Sequence, residues 1–353
     1  MSIDLFTPGR IGGLSTPNRI AMAPMTRSRA GYDGVPAEIS AEYYAQRASA
    51  GLIITEGTAP SASGLGYART PGIYNGGQIA AWRKVTEAVH AKGGRIFVQI
   101  MHVGRIAHSA NRTIAEPPVA PSAIRAAGKM WTDKAGMQDN DMPRALETGE
   151  IPGVIAEFGE AARNAIEAGF DGVELHAASG YLPMQFLSSG SNRRTDEYGG
   201  GAGNRIRFVV EALEAIIGAA GSAEKVGIKI SPAMVFNDIQ DENPLETYTT
   251  LAGAIAPLGL AYLHVMRSPG LANVLEELRP RFGGTMLAGG GFDKATGNAA
   301  LAAGGADYIV YGGKFIANPD LPARLAIDAE LAQADASKFY TPGPAGYTDY
   351  AAL

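Results

Sequence analysis

The feature that most constrains this chain is an eightfold alternation. Short apolar runs rich in Val, Ile and Leu recur along its length, and a helical pattern follows each one. The runs cover residues 19–25, 51–57, 95–101, 170–176, 226–232, 261–266, 284–291 and 306–312. Each is almost continuously apolar and ends in glycine, proline or a polar residue, as a strand covered on both faces should. The helical patterns cover residues 40–50, 78–92, 152–168, 204–219, 245–258, 272–282, 294–303 and 320–332. Ser40 ahead of Ala41, and Pro152 in a first turn, read as helix starts. The stretches EAGFDGVE and AAGGADYIV read as helix, glycine stop and strand.

Eight strand–helix pairs predict an α/β fold, a (β/α)8 TIM barrel. The competing doubly wound sheet is disfavoured, because the count is eight and no Gly-x-Gly-x-x-Gly follows the first strand. Two segments fall outside the repeat. Residues 1–18 are expected to cap the bottom of the barrel. Residues 102–151 form a long insertion after strand three, rich in Pro, Ala and Gly, and are expected to lie over the site as a lid. The whole chain reads as a single domain.

Composition removes several function classes. The chain has no cysteine, which excludes disulfides, thiolate metal sites, iron–sulfur clusters and a cysteine nucleophile. A net charge of −5 gives no global footprint for nucleic acid. The first ten residues are polar and contain Pro8, unlike a signal peptide. No run approaches the roughly 18 consecutive apolar residues of a membrane span. The expected setting is the cytoplasm, with neither nucleic acid nor membrane as partner.

In a barrel, polar residues at strand C-termini line the active site. Here they are Thr26, Glu56, Gln99, His102, His176, Lys229 and Arg267, with the runs Gly289, Gly290, Gly291 and Gly312, Gly313, Lys314. The glycine runs end strands seven and eight, the usual phosphate site of barrels. Glycine lets backbone N–H groups approach an anion, and Lys314 adds positive charge. Tight turns are the simpler reading of the same glycines. His176, Ser179 and Tyr181 fall within one short segment and offer hydrogen-bond donors and a proton source, although a lone histidine reads equally as a satisfied core residue. Lys229 suits a Schiff base, an anionic cofactor group or a neighbouring acid. No His-Glu-x-x-His, Gly-x-Ser-x-Gly or Gly-x-x-x-x-Gly-Lys-Ser/Thr is present, so no metal site, serine hydrolase or P-loop enzyme is expected.

Beyond these spacings, the chain resembles the old yellow enzyme family of FMN-dependent ene-reductases over nearly its whole length. The resemblance is carried by NRIAMAPMTR at 18–27, YYAQRASAGLIITEG at 43–57, TPGIY at 70–74, QIMHVGR at 99–105 and PRALE at 143–147. It continues with GFDGVELH at 169–176, GYLPMQFL at 180–187, NRRTDEYGG at 192–200, NRIRF at 204–208, IANPDL at 316–321 and GYTDY at 346–350. The bacterial branch of nitroester, nitro-compound and N-ethylmaleimide reductases is the nearest in character.

The resemblance implies non-covalent FMN at the strand C-termini, NADH or NADPH as hydride donor, and an electron-poor alkene or nitro compound as substrate, in a two-step hydride relay. Pro24, Met25, Thr26, Gly57 and Gln99 would border the isoalloxazine ring. Lys229 would lie near its N1 side, and the glycine runs with Lys314 near its phosphate. His176 would bind the substrate's activating oxygen with Ser179, and Tyr181 would protonate the α-carbon. Tyr67, Met101 and Tyr340 would line the substrate pocket, and Arg144 lies in the loop associated with nicotinamide binding. Family members are monomers or homodimers.

Four positions depart from the family pattern. Ser179 replaces an asparagine or histidine, Met101 a tryptophan, Lys229 an arginine and Gly313 an arginine. The rival readings are a flavin-binding barrel with weak or no turnover, and a Schiff-base aldolase using Lys229.

Overall fold

The computed structural model describes residues 3–353, so the first two residues of the expected N-terminal cap lie outside the described part. Eight parallel strands close into a barrel. They are β1 (Ile20–Met22), β2 (Leu52–Thr58), β3 (Ile96–Ile100), β4 (Gly172–Ala177), β5 (Val226–Ile230), β6 (Tyr262–Met266), β7 (Met286–Gly289) and β8 (Tyr308–Tyr311). Each pairs with its neighbours in sequence, and β8 pairs with β1. This is the predicted TIM barrel.

Element lengths depart from the sequence reading for physical reasons. The first strand stops at Met22: Ala23 N–H still donates to the Tyr311 carbonyl at 3.0 Å, but Pro24 has no N–H to extend the ladder. The first helix runs Ile39–Ala45, with Ser40 buried inside it rather than capping it. The last runs only Leu321–Ala326. Helix Ile151–Glu167 begins with Pro152 in its first turn, as expected, and packs on Arg207–Ala220.

The barrel interior is filled from its N-terminal end. Ile11, Leu52, Ile54, Phe97, Tyr262, Leu287 and Tyr308 form one buried cluster. Phe97 and Tyr262 come from non-adjacent strands, yet their ring centroids are 5.8 Å apart, which is possible only across the barrel. A hairpin of Gly9–Ile11 and Leu14–Thr16 lies against this end. Thr16 Oγ1 is 2.6 Å from Tyr308 Oη at the start of β8, and Gly12 is pressed on the Glu224 carbonyl just ahead of β5. With the bottom closed, chemistry is confined to the C-terminal end.

Two extra structures stand at that end. The insertion contains an antiparallel hairpin, Lys129–Thr132 with Gly136–Asp139. At its turn Asp133 accepts bonds from Tyr32 Oη at 2.7 Å, Trp131 Nε1 at 3.0 Å, and Arg69. The other is the C-terminal segment around Tyr340, which two buried arginines hold. Arg29 donates to the carbonyls of Lys338, Phe339, Gly343 and Ala345, and Arg27 to those of Phe339 and Gly346. Tyr43 and Tyr347 stack beside them at 3.9 Å.

Candidate active site

Strand register gathers a polar floor. Gln99 on β3 pairs with Glu174 on β4, His176 on β4 with Lys229 on β5, and Lys229 with His264 on β6. Glu174 and His176 are two residues apart, so they point to the same face. All five side chains are buried. Glu174 is the hub. Its Oε1 accepts from Gln99 Nε2 at 2.7 Å, and its Oε2 lies 2.9 Å from His264 Nδ1. The Gln99 amide oxygen is thereby left as an acceptor. No carboxylate among the described residues lies within 4.0 Å of Lys229. Burial pulls its pKa down, opposed by the charge of Glu174.

His176 is held neutral. Burial, then the charges of Lys229 and His264, put its pKa well below the usual histidine value. Its Nδ1 is buried without a partner. Buried polar atoms are nearly always satisfied, so this orphan is compatible with a hydrogen bond to a bound ligand.

Tyr181 follows in the turn after β4. Its ring centroid is 4.9 Å from that of His176, at 70°, and its hydroxyl donates to Tyr67 Oη at 3.2 Å. Burial, then the neighbouring Tyr67, raises its pKa well above the ordinary phenol value, so it carries its proton at neutral pH. Ser179 sits at φ +57°, with its N–H donating to Ser231 Oγ at 2.8 Å and its carbonyl accepting from Asn237 Nδ2 at 2.8 Å. A serine in the left-handed region marks a turn over-determined by its surroundings.

A cavity of about 1080 Å³ opens over Tyr181. It brings together four of the expected residues, Thr26, Tyr67, Tyr181 and Tyr340, with Met130, Trp131 and Met137 from the hairpin. A second cavity of about 270 Å³ joins Met25, Thr26, Gly313 and Tyr340. Met101 is buried against Gly57 and packs in the apolar cluster behind Tyr67 and Tyr181, outside the lining of either cavity. Ser179 also lies outside both linings. Pro24 follows the end of β1. Arg144 is exposed and paired with Glu150 at 2.7 and 2.8 Å. At the glycine end, a Cβ on Gly291 or Gly313 would meet nothing within 4 Å, while Lys314 Nζ donates to the Phe292 carbonyl at 2.9 Å.

This donor set fits FMN. His176 Nδ1 and the Lys229 ammonium have no hydrogen-bond partner, and the Gln99 amide oxygen is left as an acceptor, although none of the three residues lines either cavity. Open glycine backbone stands where a phosphate would lie. Sequence reasoning missed the Glu174–His264 pair, Asn237 and the Arg27–Arg29 clasp. Glu174 had a signal, since it sits two residues before His176 on a strand otherwise apolar.

Comparison with known proteins agrees. Residues 4–331 match the model of the NADH:flavin oxidoreductase / NADH oxidase family. The chain is 44% identical to 12-oxophytodienoate reductase 1 of Oryza sativa subsp. japonica over 361 residues, covering 99% of this chain and 93% of that one. It is 39% identical to 12-oxophytodienoate reductase 2 of Arabidopsis thaliana, covering 100% and 96%. Among solved structures, morphinone reductase superposes with a TM-score of 0.95 at 44% identity, covering 100% and 97%. The old yellow enzyme homologue of Zymomonas mobilis does so with 0.96 at 41%, covering 99% and 100%. The chain belongs to the NADH:flavin oxidoreductase / NADH oxidase family, as an old yellow enzyme homologue.

Proposed function

We propose that this flavin-dependent oxidoreductase reduces the C=C bond of small electron-poor alkenes (enones, maleimides and nitroalkenes), with nitrate esters as further substrates. The relatives named as 12-oxophytodienoate and morphinone reductases support action on activated C=C bonds. FMN bound at this end of the barrel would supply the redox chemistry, hydride transfer from NADH or NADPH to the alkene. Pro24, Met25, Thr26, Gly57, Gln99 and Lys229 would hold its ring, and Gly289–Gly291 and Gly312–Lys314 its phosphate end.

The observation that carries this reading is the unpartnered Nδ1 of His176 beside the Tyr181 ring. A neutral imidazole donates to a carbonyl or nitro oxygen and stabilises the charge that grows there as the β-carbon is reduced. Ser179 would assist from the same turn. Tyr181 retains its proton at neutral pH, is oriented by Tyr67, and gives that proton to the α-carbon as general acid. Met130, Trp131 and Tyr340 line the cavity above it. The protein would work in the cytoplasm as a monomer or homodimer.

Binding of a phenolate inhibitor to the oxidised holoprotein tests the oxygen site. Exchange of His176 for alanine should weaken p-hydroxybenzaldehyde by at least 10-fold, the worth of a charge-assisted hydrogen bond. Unchanged affinity would refute the role of His176.

A further inference from the structure

The structure assigns Arg267 as the cation that holds the phosphate end of FMN, an inference resting on the FMN reading above. The family resemblance places an arginine at position 313, where this chain has Gly313, and it leaves Lys314 as the nearest substitute. Lys314 has one of its three N–H donors engaged. Its Nζ donates to the Phe292 carbonyl at 2.9 Å and lies 5.4 Å from the Tyr311 ring centroid.

Arg267 stands directly after β6, against the glycine run that ends β7. Its backbone N–H donates to the Gly289 carbonyl at 3.0 Å, and its Nη2 donates to the Gly290 carbonyl at 2.5 Å. Its guanidinium carbon lies over the Phe292 ring, 3.7 Å from the centroid. Its Nε is buried and has no partner. No carboxylate among the described residues lies within 4.0 Å of this side chain. Burial therefore opposes its charge with no acid to offset the cost.

The neighbouring backbone is shaped for close approach. Gly290 has φ +100° and Gly291 φ +75°, and a Cβ on Gly290 would lie 3.0 Å from the Arg267 carbonyl oxygen. A half-buried, preorganised guanidinium with free donors beside bare glycine backbone matches a phosphate monoester, which takes bidentate N–H bonds. The loop after the seventh strand is where barrels bind phosphate. The charge absent at position 313 is thus supplied from the end of β6.

Equilibrium titration of the apoprotein with FMN and, in parallel, riboflavin tests this without turnover. Arg267→Ala should weaken FMN about 10- to 100-fold, as loss of one charge-assisted pair does, and leave riboflavin unchanged. Arg267→Lys should recover part of the loss and keeps the test available if the alanine variant does not fold. Lys314→Ala should cost FMN less than Arg267→Ala. Wild-type FMN affinity in Arg267→Ala, or equal weakening of FMN and riboflavin, would overturn the assignment. So would a wild-type protein that binds the two flavins equally well. A wild-type protein that binds neither flavin overturns the FMN reading and this assignment with it.

Discussion

Tyr181 donates its hydroxyl proton to the Tyr67 oxygen at 3.2 Å, with the two rings edge to face. Both side chains line the cavity. Tyr181→Phe should slow reduction of an enone by about 100-fold or more, the usual worth of a positioned acid, while reduction of the flavin by NAD(P)H is unchanged. Stopped-flow measurement of each half-reaction separates the two. Equal slowing of both would remove Tyr181 from proton delivery.

Gly57 and Met101 are packed as a pair. A Cβ on Gly57 would collide with the Met101 sulfur and lie 3.1 Å from the Met101 Cβ, so the whole side chain would have to move. Gly57→Ala should destabilise the protein by about 1–3 kcal/mol, the range of overpacking. Adding Met101→Ala should recover part of that loss, measured by urea unfolding. Additive costs in the double variant would show that the two sites are independent.

Arg29 clasps the segment that carries Tyr340. It is buried and gives up five hydrogen bonds to carbonyls, four of them in residues 338–345. Arg29→Ala should cost on the order of 3 kcal/mol and expose residues 338–347 to protease. Limited proteolysis checks this, and an uncut C-terminal segment would contradict it.

Glu56 makes stability depend on pH in a stated direction. Burial pushes its carboxyl up to about 7, partly opposed by the Arg27 backbone N–H and by the charges of Arg27 and Arg29. A raised carboxyl pKa means that the folded state binds the proton more tightly than the unfolded chain does. The stability this contributes is complete below about pH 4.5 and is lost as pH rises through 7. Between pH 5 and 8 wild type should lose roughly 2–3 kcal/mol relative to Glu56→Gln, measured by denaturant titration at each pH. A pH-independent difference would contradict the account.

The barrel was legible because strands covered on both faces leave long apolar runs, and eight such runs survive any error in their ends. Their limits were not, because Pro24 cuts β1 through a missing hydrogen bond that apolar character does not register. Helix Leu182–Leu187, directly after Tyr181, is too short to show a period. At the site, His176 and Tyr181 were readable from a local motif. The Glu174–His264 contact joins residues 90 apart and depends on barrel register, which no local pattern encodes. Arg267 was visible at a strand end, but its lack of an acid partner belongs to packing alone.

The proposed reaction passes hydride from a nicotinamide to an activated alkene at the site built by His176 and Tyr181. The most direct measurement is anaerobic absorbance of the purified holoprotein through one cycle. NADH or NADPH should bleach the bound flavin, and 2-cyclohexenone should then restore its colour with formation of cyclohexanone. A flavin that is bleached but recovers only when oxygen is admitted would contradict the account.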